Sequence, residues 1–153
     1  MILVSACLAG INCKYDGKNN ENKYVKKLVK EGKAIPVCPE VLGGMKTPRI
    51  PCEIIKDKNG KKVINKKGKN HTEEFENGAL KTLKIARAVK ADTAILKSKS
   101  PSCGYGKIYD GSFSDEIIKG NGLTTSLLLK NGIDIYTEKQ INEFKKIVPW
   151  KDW

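Results

Sequence analysis

Histidine is nearly missing from this 153-residue chain, with His71 the only one. It stands beside an expected helix start, where a capping or surface role is plainer than metal ligation. No Cys-x-x-Cys pair occurs, so neither a zinc ribbon nor a thioredoxin-like redox pair has support. No apolar run approaches the ~20 residues of a membrane span. The opening Met1-Ile2-Leu3-Val4-Ser5 has no positive n-region and no long h-region, which argues against a signal peptide. The expectation is a cytoplasmic protein whose thiols stay reduced. Repeats, linkers and low-complexity segments are also missing. The five cysteines are an odd number, which speaks against a simple disulfide framework.

Acidic residues are few: 17 Asp and Glu face 29 Lys and Arg, for a net charge of +12. That balance gives a weak general attraction to nucleic acid and other polyanions. The lysines are spread along the chain in pairs such as Lys26-Lys27, Lys61-Lys62 and Lys145-Lys146, alternating with apolar residues as solvated faces do. Hydrophobic residues make up 39% and charged residues 30%, an ordinary balance for one folded core of this length. One domain over residues 1–147 is expected, with a short tail over 148–153 that carries Trp150 and Trp153.

Periodicity predicts a strand over residues 2–6, then a helix over about 21–31 that Gly32 can end. A second strand follows over 34–38. Pro39, Gly43, Gly44, Pro48 and Pro51 read as loop. Residues 53–56 and 62–64 flank Asn59-Gly60 and predict a tight hairpin. The longest helix is expected from Thr72, as its cap, to near Lys90. Its apolar face carries Phe75, Ala79, Leu83 and Ala86. A third strand covers 93–97, and an irregular loop with Tyr105, Tyr109 and Phe113 runs to Gly122. A helix from Thr124 stops at Asn131-Gly132. Residues 133–136 form a fourth strand. Thr137 caps a last helix with Ile141, Phe144 and Ile147, closed by Pro149. Strands alternating with helices argue for an α/β fold: a mostly parallel Rossmann-like sheet, helices on both faces and an inserted β-hairpin.

Ligands in such sheets bind beyond the carboxyl ends of the strands. Cys7, Cys38 and Cys103 follow the first three strands, so parallel neighbours would bring three thiols to one edge. Thiolates are soft donors suited to zinc or iron–sulfur centres. Three scattered cysteines are compatible with a [4Fe-4S] cluster that leaves one iron without a protein ligand. The plainer reading, that they are small core residues, stays open at this point.

The flanking residues narrow the choice. Ser5-Ala6-Cys7-Leu8-Ala9-Gly10 is followed by Tyr15-Asp16-Gly17. Cys38-Pro39-Glu40-Val41-Leu42-Gly43-Gly44 continues into Pro48-Arg49-Ile50-Pro51 and Glu53. The third motif is Leu96-Lys97-Ser98-Lys99-Ser100-Pro101-Ser102-Cys103-Gly104. Together they resemble the thiouracil desulfurases, and the likeness in length and element order covers about residues 1–147. The resemblance implies a [4Fe-4S]-dependent enzyme with Cys7, Cys38 and Cys103 as cluster ligands. It removes sulfur from a thiolated pyrimidine without net redox change, giving the oxo base and hydrosulfide. Glu40 would be the acid–base residue. Ser100 is the favoured assisting serine, with Ser98 and Ser102 as the other candidates.

Gly43 and Gly44 allow close backbone approach, to substrate or only within a turn. Tyr15 and Tyr105 could stack on a pyrimidine or pack at loop bases. Arg49 is expected in a structural ion pair with Glu53 or Asp16. Cys13 is near enough to Cys7 to serve as an alternative ligand or persulfide acceptor, and Cys52 reads as a bystander at a strand start. Two other functions fit the residues: a sulfur-handling enzyme acting on thiolated tRNA nucleotides, and a non-catalytic metal- or nucleic-acid-binding module.

Overall fold

The structure is a computed structural model that describes residues 1–147. The expected tail with Trp150 and Trp153 lies outside the described residues. The four core strands are β1 (Ile2–Ser5), β2 (Ala34–Val37), β5 (Thr93–Leu96) and β8 (Asp134–Thr137). They form one parallel sheet in the order β2-β1-β5-β8. β1 registers Leu3 on Ile35 of β2 and on Ala94 of β5. The first three strands are therefore direct neighbours, which the convergence of the thiols requires.

Alternation along the strands separates the two faces. Ile2, Val4 and Ile95 pack with Val25 and Leu28 of α1 (Lys23–Lys30) and with Phe144 of α5 (Ile141–Ile147). Leu3, Ala94 and Leu96 turn the other way, onto Leu83 and Ala86 of α3 (Thr72–Ala88) and Leu128 of α4 (Leu123–Lys130). Each fully buried aliphatic side chain contributes on the order of 1.5–3 kcal/mol of transfer free energy. α1 starts where Asn22 Oδ1 accepts the N–H groups of Tyr24 and Val25, both at 3.1 Å. The Thr137 capping box with Gln140 forms over a 3-10 turn, Glu138–Gln140, that leads into α5.

Three details differ from the sequence-based expectation. Thr72 is the first residue of α3, and His71 takes the cap position. The Thr72 hydroxyl accepts the Val63 N–H at 3.0 Å, which ties α3 to the hairpin β3 (Cys52–Asp57) and β4 (Gly60–Asn65). The stretch read as loop after Cys38 contains a short helix, α2 (Pro39–Leu42), with Pro39 in its first turn. The loop after Cys103 contains a second hairpin, β6 (Lys107–Tyr109) with β7 (Ile117–Lys119). The two hairpins share a smaller core of Met45, Cys52, Ile54, Val63, Phe75 and Ile108.

Candidate active site and metal centre

The three motif cysteines reach one place because each strand ends there and turns sharply. β1 runs into a 3-10 turn, Ala6–Ala9, that carries Cys7 and closes on left-handed Gly10. β2 ends at Cys38, the N-cap of α2. β5 ends at Leu96, and the chain loops through the serines to Cys103. All three thiols line one cavity of about 480 Å³, which Cys13 and Cys52 also border. No disulfide joins any of the five cysteines.

The thiols differ in protonation. Burial pushes Cys103 up to about 12, against the lowering influence of the nearby Ser5 and Ser102 hydroxyls. Burial also raises Cys7, with an opposing bond from Asn20. Cys38 goes the other way: a hydrogen bond from the Cys13 thiol, helped by the Val41 N–H, lowers it despite burial. Cys7 senses charge on Cys38, and Cys103 senses charge on both Cys7 and Cys38. Among the described residues no group of three or more His, Cys, Asp or Glu is placed to hold a single metal ion. A tetrahedral zinc thiolate site needs sulfurs only about 3.8 Å apart, from bonds of about 2.3 Å. Three soft thiol donors lining one cavity match the donor chemistry of an iron–sulfur cluster, whose positive irons would also draw the proton from the buried thiols.

Glu40 stands in the first turn of α2, and both of its carboxylate oxygens are held. Arg49 Nε donates to Oε1 at 3.0 Å, and the Ser102 hydroxyl donates to Oε2 at 2.8 Å. The Arg49 and Glu40 side chains are only 7% and 14% exposed. The Arg49 guanidinium also donates to the carbonyls of Cys13 (3.0 Å) and Lys46 (3.2 Å) and to Thr47 Oγ1 (3.1 Å). The expected pairing of Arg49 with Glu53 or Asp16 is thus replaced by one with Glu40, because the 43–51 loop folds Arg49 back over α2.

The three serines occupy different places. Ser102 is buried and bonded to Glu40. Ser100 Oγ accepts the Cys103 N–H at 2.7 Å and lies 3.3 Å from Ser102 Oγ. A hydroxyl has one proton to donate. With the Ser102 proton on Glu40, the Ser100 hydroxyl is the donor to Ser102, and a directed chain runs Ser100, Ser102, Glu40. Ser98 is separate. Its N–H and hydroxyl both donate to Glu138, at 2.8 and 3.2 Å.

Tyr15 borders the cavity, as do Ser98, Ser100 and Ser102. Gly43 and Gly44, expected to contact substrate, do not: Gly43 serves helix packing, and Gly44 takes a left-handed φ of 101° with nothing near a Cβ. A Cβ on Gly43 would fall 1.8 Å from the Glu74 carbonyl of α3, and one on Gly78 of α3 would fall 1.9 Å from the Pro39 carbonyl. The glycine pair lets α2 lie against α3 and so sets the height of Cys38 and Glu40. Cys52, the first residue of β3, is a buried neighbour of the cavity. Sequence reasoning passed over Ser5, Asn20, Lys97, Glu53 and Phe113 as site residues. Ser5 was within reach, since it directly precedes the Ala6-Cys7 turn; its hydroxyl accepts the Lys97 N–H at 2.9 Å and locks β1 to β5.

The cavity wall is cationic. Lys14, Arg49, Lys66, Lys97, Lys99 and Lys139 line it, against Glu40, Glu53 and Asp115. Lys97 is partly neutralised by Glu138 at 3.0 Å.

The chain is thus a parallel α/β fold with three cysteines gathered at one cavity beyond the carboxyl edge of the sheet and a doubly held carboxylate beside them. The sequence profile of the 2-thiouracil desulfurase family matches residues 2–140, and the chain belongs to that family. It is 45% identical over 149 residues to the uncharacterised protein YbbK of Bacillus subtilis (strain 168), which covers 94% of this chain and 99% of YbbK. Its fold is similar to the solved structure of a [4Fe-4S]-dependent thiouracil desulfidase, TudS, with a TM-score of 0.86 and 39% identity over 95% of each chain.

Proposed function

We propose that the protein is an iron–sulfur-dependent desulfurase that converts a thiolated pyrimidine such as 2-thiouracil and water into the oxo base and hydrosulfide. The observation that carries this reading is the meeting of Cys7, Cys38 and Cys103 at one cavity beside the Arg49–Glu40–Ser102 assembly. The three cysteines would hold the [4Fe-4S] cluster, which would leave one iron without a protein ligand. When bound, the cluster supplies a Lewis-acid position for a soft thiocarbonyl sulfur.

The chain's own groups handle the protons. Glu40 takes a proton from the water that adds to the ring carbon. It returns a proton to the ring nitrogen or to the departing sulfur as the C–S bond breaks and the carbonyl forms. Ser102 and Arg49 keep the carboxylate aimed, and Ser100 completes the chain from behind. No electron is gained or lost overall. Tyr15 and Ser98 belong to the cavity wall that receives substrate. Free thiols and an exposed iron suit the reducing cytoplasm, and no helix among the described residues is long and apolar enough to cross a membrane.

The cationic lining favours a second form of the substrate, in which the thiolated base carries an anionic group, as a tRNA nucleotide does. Catalysis on such a substrate falls steeply with salt, whereas catalysis on the free base does not. The test of the main reading is anaerobic reconstitution with iron and sulfide, followed by assay with 2-thiouracil. The expected result is a brown protein that releases hydrosulfide, and a Glu40→Gln variant that keeps the colour but not the turnover. A protein that stays colourless and iron-free overturns it.

A further inference from the structure

Backbone strain is concentrated at the cavity. Among the described residues four non-glycine residues have a positive φ: Lys90 (55°), Lys99 (68°), Phe113 (57°) and Asp115 (64°). Lys90 lies just past the end of α3, where a left-handed residue commonly terminates a helix. The other three all line the cavity. Phe113 and Asp115 share the connection between β6 and β7.

That connection is held firmly. Glu53 of β3 is 9% exposed, and its Oε1 accepts the Gly111 N–H at 2.9 Å and the Phe113 N–H at 3.2 Å. These two amides are its hydrogen-bond partners among the described residues. Gly111, with φ of 94°, presses on β3 so closely that a Cβ there would lie 2.5 Å from Ile55 Cγ2. The base of the tip is closed by the Asp110 N–H, which donates to the Glu116 carbonyl at 3.0 Å. Strained backbone of this kind persists only where the surroundings over-determine it, and it gathers at ligand clamps. A buried carboxylate committed to two loop amides is such a surrounding. The proton chemistry assigned to Glu40 and the serines makes no use of it.

We propose that Phe113 is the specificity residue for the base, offering its aromatic face to the pyrimidine ring, and that Glu53 is the positioning residue that holds Phe113 at the cavity wall. The assignment rests on the reading of the site as one for thiolated pyrimidines. It adds a ring-recognising residue, held through both hairpins, to the cavity that the motif cysteines and serines also line.

Uracil, the oxo product, allows binding to be measured without turnover. Calorimetric titration of the cluster-loaded protein with uracil is compared for wild type, Phe113→Leu, Phe113→Tyr and Glu53→Ala, while hydrosulfide release from 2-thiouracil is followed in wild type. Phe113→Leu keeps an apolar side chain but loses the aromatic face. It is expected to raise the Kd about 5- to 150-fold, the range of base–aromatic stacking. Phe113→Tyr restores the face and stays within a few-fold of wild type. Glu53→Ala reproduces the loss seen for Phe113→Leu with the cluster absorbance intact. A Phe113→Leu variant that binds uracil like wild type, or a Tyr variant that binds as weakly as Leu, overturns the assignment. Phe113-dependent uracil binding by a wild type that releases no hydrosulfide upholds Phe113 and fails the desulfurase reading. A desulfurating wild type with unaltered Phe113→Leu binding fails Phe113 alone.

Discussion

Replacing Arg49 by Met tests how the site is held together. Met fills much of the space but donates no hydrogen bond. The variant leaves the Glu40 carboxylate buried with one partner, Ser102, and removes the guanidinium bonds to the carbonyls of Cys13 and Lys46. Removing one member of a buried ion pair costs about 3–5 kcal/mol, because the other charge stays desolvated and unpaired. A chain of this size loses about 2–4 °C in Tm per kcal/mol, so the expected fall is about 6–20 °C. Glu40→Gln alone leaves Arg49 unpaired but still bonded to three main-chain and hydroxyl oxygens, so its cost is smaller. In the double variant the stranded charge is gone, and its cost should fall short of the sum of the singles by at least about 1 kcal/mol. Arg49→Lys keeps the charge but not the fork, and should fall between wild type and Met. The assay is anaerobic thermal unfolding followed by circular dichroism, with cluster loading matched among variants. A loss below about 1 kcal/mol for Arg49→Met, or strict additivity with Glu40→Gln, would refute the buried-pair reasoning.

Other outcomes follow from the same geometry. Gly78→Ala places a methyl against the Pro39 carbonyl and must push α2 off α3; about 1–3 kcal/mol of stability should be lost, together with most turnover, measured by unfolding and hydrosulfide release. Single Ser substitutions of Cys7, Cys38 or Cys103 should each abolish stable iron binding, whereas Cys52→Ser should retain iron on metal analysis. Glu138 has a depressed carboxyl pKa, since burial is outweighed by the Ser98 N–H and Lys97. The stability it supplies is present above its ordinary value of 4.5 and disappears as pH falls through the lowered folded value. Acid unfolding should therefore be less steep below pH 4.5 in Glu138→Gln than in wild type.

Much of this was legible in the chain because local pattern and topology agree. Ile2-Leu3-Val4 and Thr93-Ala94-Ile95-Leu96 read as buried strands, and the preference for right-handed parallel crossovers does the rest. Neighbouring strands then deliver Cys7, Cys38 and Cys103 to one edge. What could not be read is non-local. α2 has four residues in a stretch full of breakers, and its place is fixed by the Gly43–Gly78 contact with a helix about 35 residues on in sequence. The β6–β7 hairpin has three-residue strands, and Ile117 and Ile118 face solvent, so no alternation marks it. The partner of Arg49 depends on how the 43–51 loop folds back. The sequence suggested Glu53 or Asp16, and only the fold reveals Glu40. The same limit hid Glu53, which resembles any strand carboxylate until the second hairpin closes on it.

The central claim is hydrolytic sulfur removal at a three-cysteine cluster. The most direct measurement incubates anaerobically reconstituted protein with 2-thiouracil and no added reductant, and quantifies uracil and hydrosulfide over many turnovers. The account predicts equal amounts of the two, with the cluster absorbance unchanged at the end. Uracil formation that requires a reductant, or no uracil from fully loaded protein, would contradict it.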